Sequence, residues 1–165
     1  IGRMVAQKAP GCFVEAAALY LKSNPSAYFV LLGYGPANPG LSKRIEHQGF
    51  TDRIRLIGHQ DEVWPWLEMM DVVVSTSIWE AAPYAVLEAM STKKTIYATD
   101  IPSHREIIGQ SGPHSFFPVS DPEALSKLMA GLTLEDIQVE NEEKLSQKDA
   151  FSNWVESHSS LYEHL

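Results

Sequence analysis

Asp71-Val-Val-Val-Ser75-Thr-Ser-Ile-Trp-Glu80-Ala-Ala-Pro83-Tyr-Ala-Val-Leu-Glu88-Ala-Met90 is the stretch around which the rest of the chain is organised. Its opening run is short, β-branched and closed by small polar residues, the pattern of a buried strand. Proline suits the first turn of a helix, where its missing N–H would have no partner. Pro83 therefore places Glu80 in a strand-to-helix loop and Glu88 about a turn into the helix. Helical side chains lean toward the N-terminus, which points Glu88 back toward the loop carrying Glu80. Free N–H groups at a helix start favour anions, and carboxylates beside them accept from hydroxyls. Together these suit a ligand that is both phosphorylated and rich in hydroxyls, such as a sugar nucleotide. Two glutamates near a helix start usually just favour the helix dipole and face water, so the pair gains weight only from its surroundings.

Upstream, residues 1–8 read as the tail of a strand and a loop, and residues 13–21 as a helix ended by Pro25. Residues 28–32 form a doubly buried strand closed by Gly33-Tyr-Gly35-Pro, where the glycines permit a sharp turn. A helix over 41–48, a strand over 53–57 ending at Gly58-His59, and an acidic-started helix over 61–70 follow. Downstream come a strand over 95–98, a helix over 103–108 and a short edge strand over 115–119, where Pro118 argues against a central position. Asp121 with Pro122 opens a further helix as cap and first residue. The remainder reads as two helical pieces meeting near Ala150. Alternating strands and helices imply a three-layer, Rossmann-like α/β fold, a parallel sheet with helices on both faces.

Composition narrows the classes. The 165 residues are 44% hydrophobic, with four Trp, six Tyr and six Phe, as expected of one globular domain. No apolar run reaches the roughly 20 residues a bilayer crossing needs. A net charge of −8 argues against nucleic acid and against electrostatic docking on anionic lipid. The lone Cys12 excludes an internal disulfide and falls in an apolar helical pattern, where burial is expected. Cytoplasm is the expected compartment. The opening Ile-Gly-Arg suggests a fragment of something longer.

In a parallel sheet, ligands bind beyond the carboxyl ends of the strands. Arg3 and Lys8 follow the first strand, Gly33 and Gly35 the second, Gly58 and His59 the third, Glu80 and Glu88 the fourth, and residues 100–102 the fifth. All the notable groups therefore share one edge: two cations and a helix start for a diphosphate, two carboxylates for hydroxyls.

Those residues resemble the C-terminal, nucleotide-sugar-binding domain of retaining glycosyltransferases of the GT-B fold, family 4. Gly2-Arg3 with Gln7-Lys8 is similar to that family's "G-R … K", and Gly33-Tyr-Gly-Pro36 to its "G-x-G-P". Asp52-Arg-Ile-Arg-Leu-Ile-Gly58 is similar to "D-R-V-x-F-L-G", and Phe151-Ser-Asn-Trp154 to "F-S-W". The spacing of Glu80 and Glu88 and the Glu-Ala-Met ending match its paired glutamates. The resemblance implies that Arg3 and Lys8 hold the donor diphosphate and stabilise charge on the leaving group. It implies that Glu88 binds ribose hydroxyls and Glu80 the donor sugar, so that Arg3, Lys8 and Glu80 are the catalytic set. Backbone N–H groups near Tyr84 and Ala85 would face the phosphates, Gly58 and His59 would lie beside the base, and Gly2 would belong to the nucleotide-sugar-binding set. No metal or cofactor is implied.

The partners implied are a nucleotide-sugar donor, a saccharide or lipid-linked acceptor, and an absent N-terminal domain that binds that acceptor and would carry any membrane association. An apolar patch around Trp154 and Tyr162 would then lie uncovered. The family's Gly-Phe after the first glutamate is Ala81-Ala82 here, and its "G-x-P-V" is Lys93-Lys94-Thr95-Ile96. These departures keep two alternatives open, a catalytically idle homologue and a sugar-nucleotide epimerase on the same fold. His104 and Arg105 are expected to be solvated loop residues, His59 stands evenly between loop and ligand, and Trp64 and Trp66 are expected in the core.

Overall fold

A computed structural model of the chain describes residues 1–92, 94–109 and 114–132. Each apolar run anticipated there is a strand: β1 Phe29–Leu32, β2 Ile54–Gly58, β3 Val72–Ser75, β4 Thr95–Thr99 and β5 His114–Phe117. Between them lie α1 Pro10–Leu21, α2 Asn38–Gln48, α3 Trp64–Met69, α4 Tyr84–Ser91, α5 Pro102–Ile108 and α6 Pro122–Ala130. All strand pairing is parallel, and β5 is an edge strand of its sheet, followed at once by Pro118. Asp121 caps α6 as anticipated, its carboxylate accepting from Ala124 N at 2.8 Å.

Several boundaries differ from the sequence reading, among them the start of α2, at Asn38 rather than Leu41. Helix α3 starts at Trp64, leaving Asp61 and Glu62 outside, with Pro65 in the first turn, where its missing N–H needs no partner. Helix α1 ends at Leu21 as read but starts at Pro10 rather than Phe13. Pro83 stands just before α4 rather than within its first turn. The helices expected beyond Leu132 and the patch around Trp154 and Tyr162 lie outside the described residues.

The single sheet expected from the alternation is present as two pieces, β2-β1 and β3-β4-β5. Both pieces nonetheless lie between the same two helical layers. On one face Phe29 and Leu31 of β1, Val72 and Val74 of β3, and Tyr97 of β4 pack with α1, α2 and α6. On the other, Val73, Ile96 and Ala98 pack with α3, α4 and α5, while Val30 and Leu32 pack around Trp66 of α3. All five residues of β4 are buried, as a strand covered on both faces requires.

Residues 2–4 run alongside the end of β1. Gly2 N donates to Leu32 O at 2.9 Å and Met4 N to Tyr34 O at 3.1 Å, equal two-residue steps that mark a parallel ladder. This proximity explains both glycines after β1. A Cβ on Gly33 (φ +131°) would overlap the Gly2 carbonyl oxygen and lie 2.8 Å from its carbon, and one on Gly35 would lie 2.8 Å from Met4 C. Close approach of a neighbouring backbone, more than the turn itself, is what demands glycine there.

Candidate functional site

After residue 4 the chain makes a 3-10 turn, Ala6–Lys8, that ties the carboxyl end of β1 to that of β3. Thr76 Oγ1 donates to Lys8 O at 2.8 Å, and Ile78 N to Gln7 O at 2.8 Å. These backbone-directed bonds fix where Lys8 emerges, and its ammonium meets the Glu80 carboxylate in a direct ion pair. Glu80 is only 6% exposed at its side chain and Lys8 26%, so both have left bulk water. Such burial is tolerable only with partners. Glu80 Oε1 also accepts from Ser77 Oγ at 2.6 Å, and Gln7 Nε2 anchors Trp79 O at 3.0 Å.

Glu88 sits in the second turn of α4, half-buried. At the start of α4, Tyr84 N is already used on Ala82 O at 3.0 Å, which removes it from the backbone donors expected to face a phosphate. Ala85 N has no partner among the described residues and remains available. Gly2 continues the ladder beside β1, and Arg3 next to it is exposed. Gly58, at φ +81°, accepts from Gly33 N at 2.6 Å, placing it at the same edge but beyond β1. His59 is exposed there, 3.5 Å from Asp61. Lys8 and Glu80 are thus in contact, Glu88 lies on α4, and Gly58 and His59 lie at the end of β2.

His104 is not a solvated loop residue. It lies in α5, fully buried at 0% exposure. Its Nδ1 is 2.9 Å from Thr99 O and 3.2 Å from Thr99 Oγ1, and its Nε2 is 3.1 Å from Ser75 Oγ. A carbonyl can only accept, so Nδ1 carries the proton and neutral Nε2 accepts from the Ser75 hydroxyl. Thr99 Oγ1 in turn donates to Ser77 O at 2.5 Å. Burial pushes the His104 pKa below its usual value, as does Lys8, while the bond to Thr99 and the Glu80 charge oppose the shift. The imidazole therefore braces the residues that present Ser77, and through it Glu80. Ser75, Ser77, Thr99 and His104 were missed as site residues. His104 stands four residues before buried Ile108, the spacing of one inward helical face, and that was the available signal.

Arg105 is exposed as anticipated, though on a helix, where it pairs with Asp100 and covers the Phe116 ring at 4.9 Å. Trp66 is core at 3% exposure, whereas Trp64 is 50% exposed, because the first turn of α3 turns it outward. Cys12 is half-buried, and burial pushes its thiol up to about 11.

The glycosyl transferases group 1 family matches residues 1–134. The chain belongs to that family. Among its relatives, an alpha-D-kanosaminyltransferase of Streptomyces kanamyceticus is 29% identical over 110 residues, covering 66% of this chain and 28% of that protein. A UDP-Gal:alpha-D-GlcNAc-diphosphoundecaprenol alpha-1,3-galactosyltransferase of Escherichia coli is 35% identical over 95 residues, 56% of this chain and 24% of that one. A structure of S. aureus TarM with fondaparinux, alpha-GlcNAc-glycerol and UDP superposes with a TM-score of 0.77 at 25% identity, covering 82% of this chain and 28% of TarM. The C-terminal domain of a group 1 glycosyl transferase from Francisella tularensis superposes with a TM-score of 0.69 at 26% identity, covering 90% of this chain and 83% of that domain. The chain spans about a quarter of the length of the curated relatives it matches. Its fold is that of GT-B glycosyltransferases, and no helix among the described residues is long and apolar enough to cross a membrane.

Proposed function

We propose that this chain is the donor-binding domain of a retaining glycosyltransferase, which in full transfers a hexose from a nucleotide-diphosphate sugar to a saccharide or lipid-linked acceptor. The observation that carries the reading is the meeting of Lys8 with Glu80 in the loop that leads into α4. A cation from the chain's opening and a carboxylate from its middle meet at the carboxyl edge of the strands. In this reading Lys8 and Arg3 engage the diphosphate and offset the charge that develops as it departs. Ala85 N–H adds a backbone donor, Glu88 takes ribose hydroxyls, and Glu80 takes hydroxyls of the sugar. Donor entry exchanges the Lys8–Glu80 pair for one contact each to phosphate and sugar, so neither charge is left unpaired. The galactosyltransferase named for UDP-Gal, and TarM bound to UDP, favour a uridine donor.

Calorimetric titration of the chain with UDP and with GDP tests this. Lys8→Met and Glu88→Gln should each weaken the nucleotide that binds at least about tenfold, or about 1.4 kcal/mol. Arg44→Met should not, since Arg44 pairs with Glu15 between α2 and α1. Failure of both nucleotides to bind, or binding indifferent to Lys8 and Glu88, overturns the reading.

A further inference from the structure

From Ile78 to Leu87, every exposed residue is apolar or aromatic: Ile78, Trp79, Ala81, Ala82, Tyr84 and Leu87. Trp79 is 59% exposed, and no ring or cation contact covers its indole among the described residues. Leaving so large an apolar ring in water forgoes the stabilisation its burial would bring. The backbone beneath it is nonetheless fixed. Ile78 N donates to Gln7 O at 2.8 Å, and Gln7 Nε2 donates to Trp79 O at 3.0 Å and reaches Glu80 Oε2 at 3.5 Å. One amide side chain thus holds both the peptide that carries the indole and the buried carboxylate that follows it.

An apolar strip often marks a contact with another protein, but a protein face closed over this one would shut off the Lys8–Glu80 pair beside it. A small ligand would not. Ligand sites combine apolar and aromatic walls with a few polar groups that fix orientation, and Trp79 with Glu80 supplies one of each in consecutive residues. A pyranose ring has the matching form, with hydroxyls around its rim and C–H groups across its face. The rim suits a carboxylate and the face an indole. Consecutive Cα atoms lie about 3.8 Å apart, yet these two side chains part. Glu80 turns inward to Ser77 and Lys8, and Trp79 outward to solvent. A sugar on Glu80 and a sugar on Trp79 are therefore inner and outer neighbours, the relation that a donor sugar and the saccharide receiving it must have.

We propose that Trp79 is the stacking platform for a pyranose ring of the acceptor saccharide, holding that ring on the solvent side of the donor sugar. The proposal rests on the reading of Glu80 as the carboxylate that takes the donor sugar. Trp79 orients the acceptor and takes no part in making or breaking a bond.

The test follows the indole N–H signals of the isotope-labelled chain by NMR, with UDP present. Methyl glycosides of glucose, galactose, mannose and N-acetylglucosamine are added in turn. At least one glycoside should shift the Trp79 signal while leaving that of Trp64, an exposed indole on α3. Trp79→Leu, apolar but without a ring, should weaken that glycoside at least about tenfold, read at the backbone amides of Ile78 and Ala81. Trp79→Phe restores an aromatic face and should stay within about threefold of the parent chain. Trp64→Ala should leave the affinity as it is. A chain that binds UDP overturns this inference alone if its Trp79 signal ignores every glycoside, moves only with a UDP-hexose, or moves with protein concentration by itself. Trp79→Leu binding as tightly as the parent does the same. A chain that binds no nucleotide overturns this inference together with the donor reading.

Discussion

Replacing Gly33 with alanine should unseat the chain's opening segment, and the size of the effect follows from the geometry. The new Cβ overlaps the Gly2 carbonyl oxygen and sits 2.8 Å from its carbon, so residues 2–4 must withdraw from β1. Withdrawal loses the Gly2–Leu32 bond of 2.9 Å and the Met4–Tyr34 bond of 3.1 Å, at about 1 kcal/mol each. Holding alanine at φ +131° costs about 1–3 kcal/mol more. A loss of roughly 3–5 kcal/mol is expected, a large share of the ~5–15 kcal/mol that holds a typical domain folded. Residues 7 and 8 are anchored through the same segment, so Lys8 should lose its alignment with Glu80 and nucleotide affinity should fall with stability. Urea denaturation measures the first effect and calorimetric titration the second. Gly40→Ala is the matched comparison, because nothing lies within 4 Å of a Cβ there and the residue is helical. It should stabilise by up to about 1 kcal/mol. Gly33→Ala remaining within about 0.5 kcal/mol of the parent chain would refute the close-approach reasoning.

Two further outcomes follow. His104 binds its proton less readily folded than unfolded, so the unfolded chain takes up more protons below about pH 6.5, and stability should fall as pH drops through that window and level off above it. His104→Gln should flatten this dependence in melts between about pH 5 and pH 7.5, and an unaltered slope would remove His104 as its cause. Trp66→Ala should cost roughly 3–5 kcal/mol because the indole is buried against Leu32, whereas Trp64→Ala should stay within about 0.5 kcal/mol, both read by urea denaturation.

The strands were legible because their side chains carry the evidence themselves. Val72, Val73 and Val74 form an uninterrupted apolar run, and only a strand covered on both faces tolerates one. Lys8 and Glu80 were legible as types, since charge at a strand end is unusual enough to notice. The hydroxyl frame was not. Ser75, Ser77 and Thr99 look like ordinary polar residues at strand ends, and their function resides in who receives each hydrogen. Ser75 gives its hydrogen to the His104 imidazole, Ser77 to the Glu80 carboxylate and Thr99 to the Ser77 carbonyl, pairings that only the folded chain sets. The outward turn of Trp64 depends likewise on where α3 begins, which Pro65 sets and apolar periodicity does not.

The same distinction explains why the ion pair stands where it does. A carboxylate as buried as Glu80 cannot be placed by its own loop alone. Ser77 holds it from within the loop, Gln7 and Lys8 hold it from 72 or 73 residues away, and Thr99 with His104 holds the Ser77 carbonyl from behind. Each of these supports comes from a different connection at the carboxyl edge of the strands. A substitution in any one of them, including neutral and fully buried His104, should therefore act on the Glu80 carboxylate without touching it, and only the sheet's integrity keeps the supports in register. The segment at residues 2–8 joins that frame along the edge of β1, through two backbone bonds to residues 32 and 34, and through bonds from Thr76 and Ile78 beyond β3. Reinforcing that edge should therefore sharpen Lys8 and Glu80 together, while loosening it should blur both.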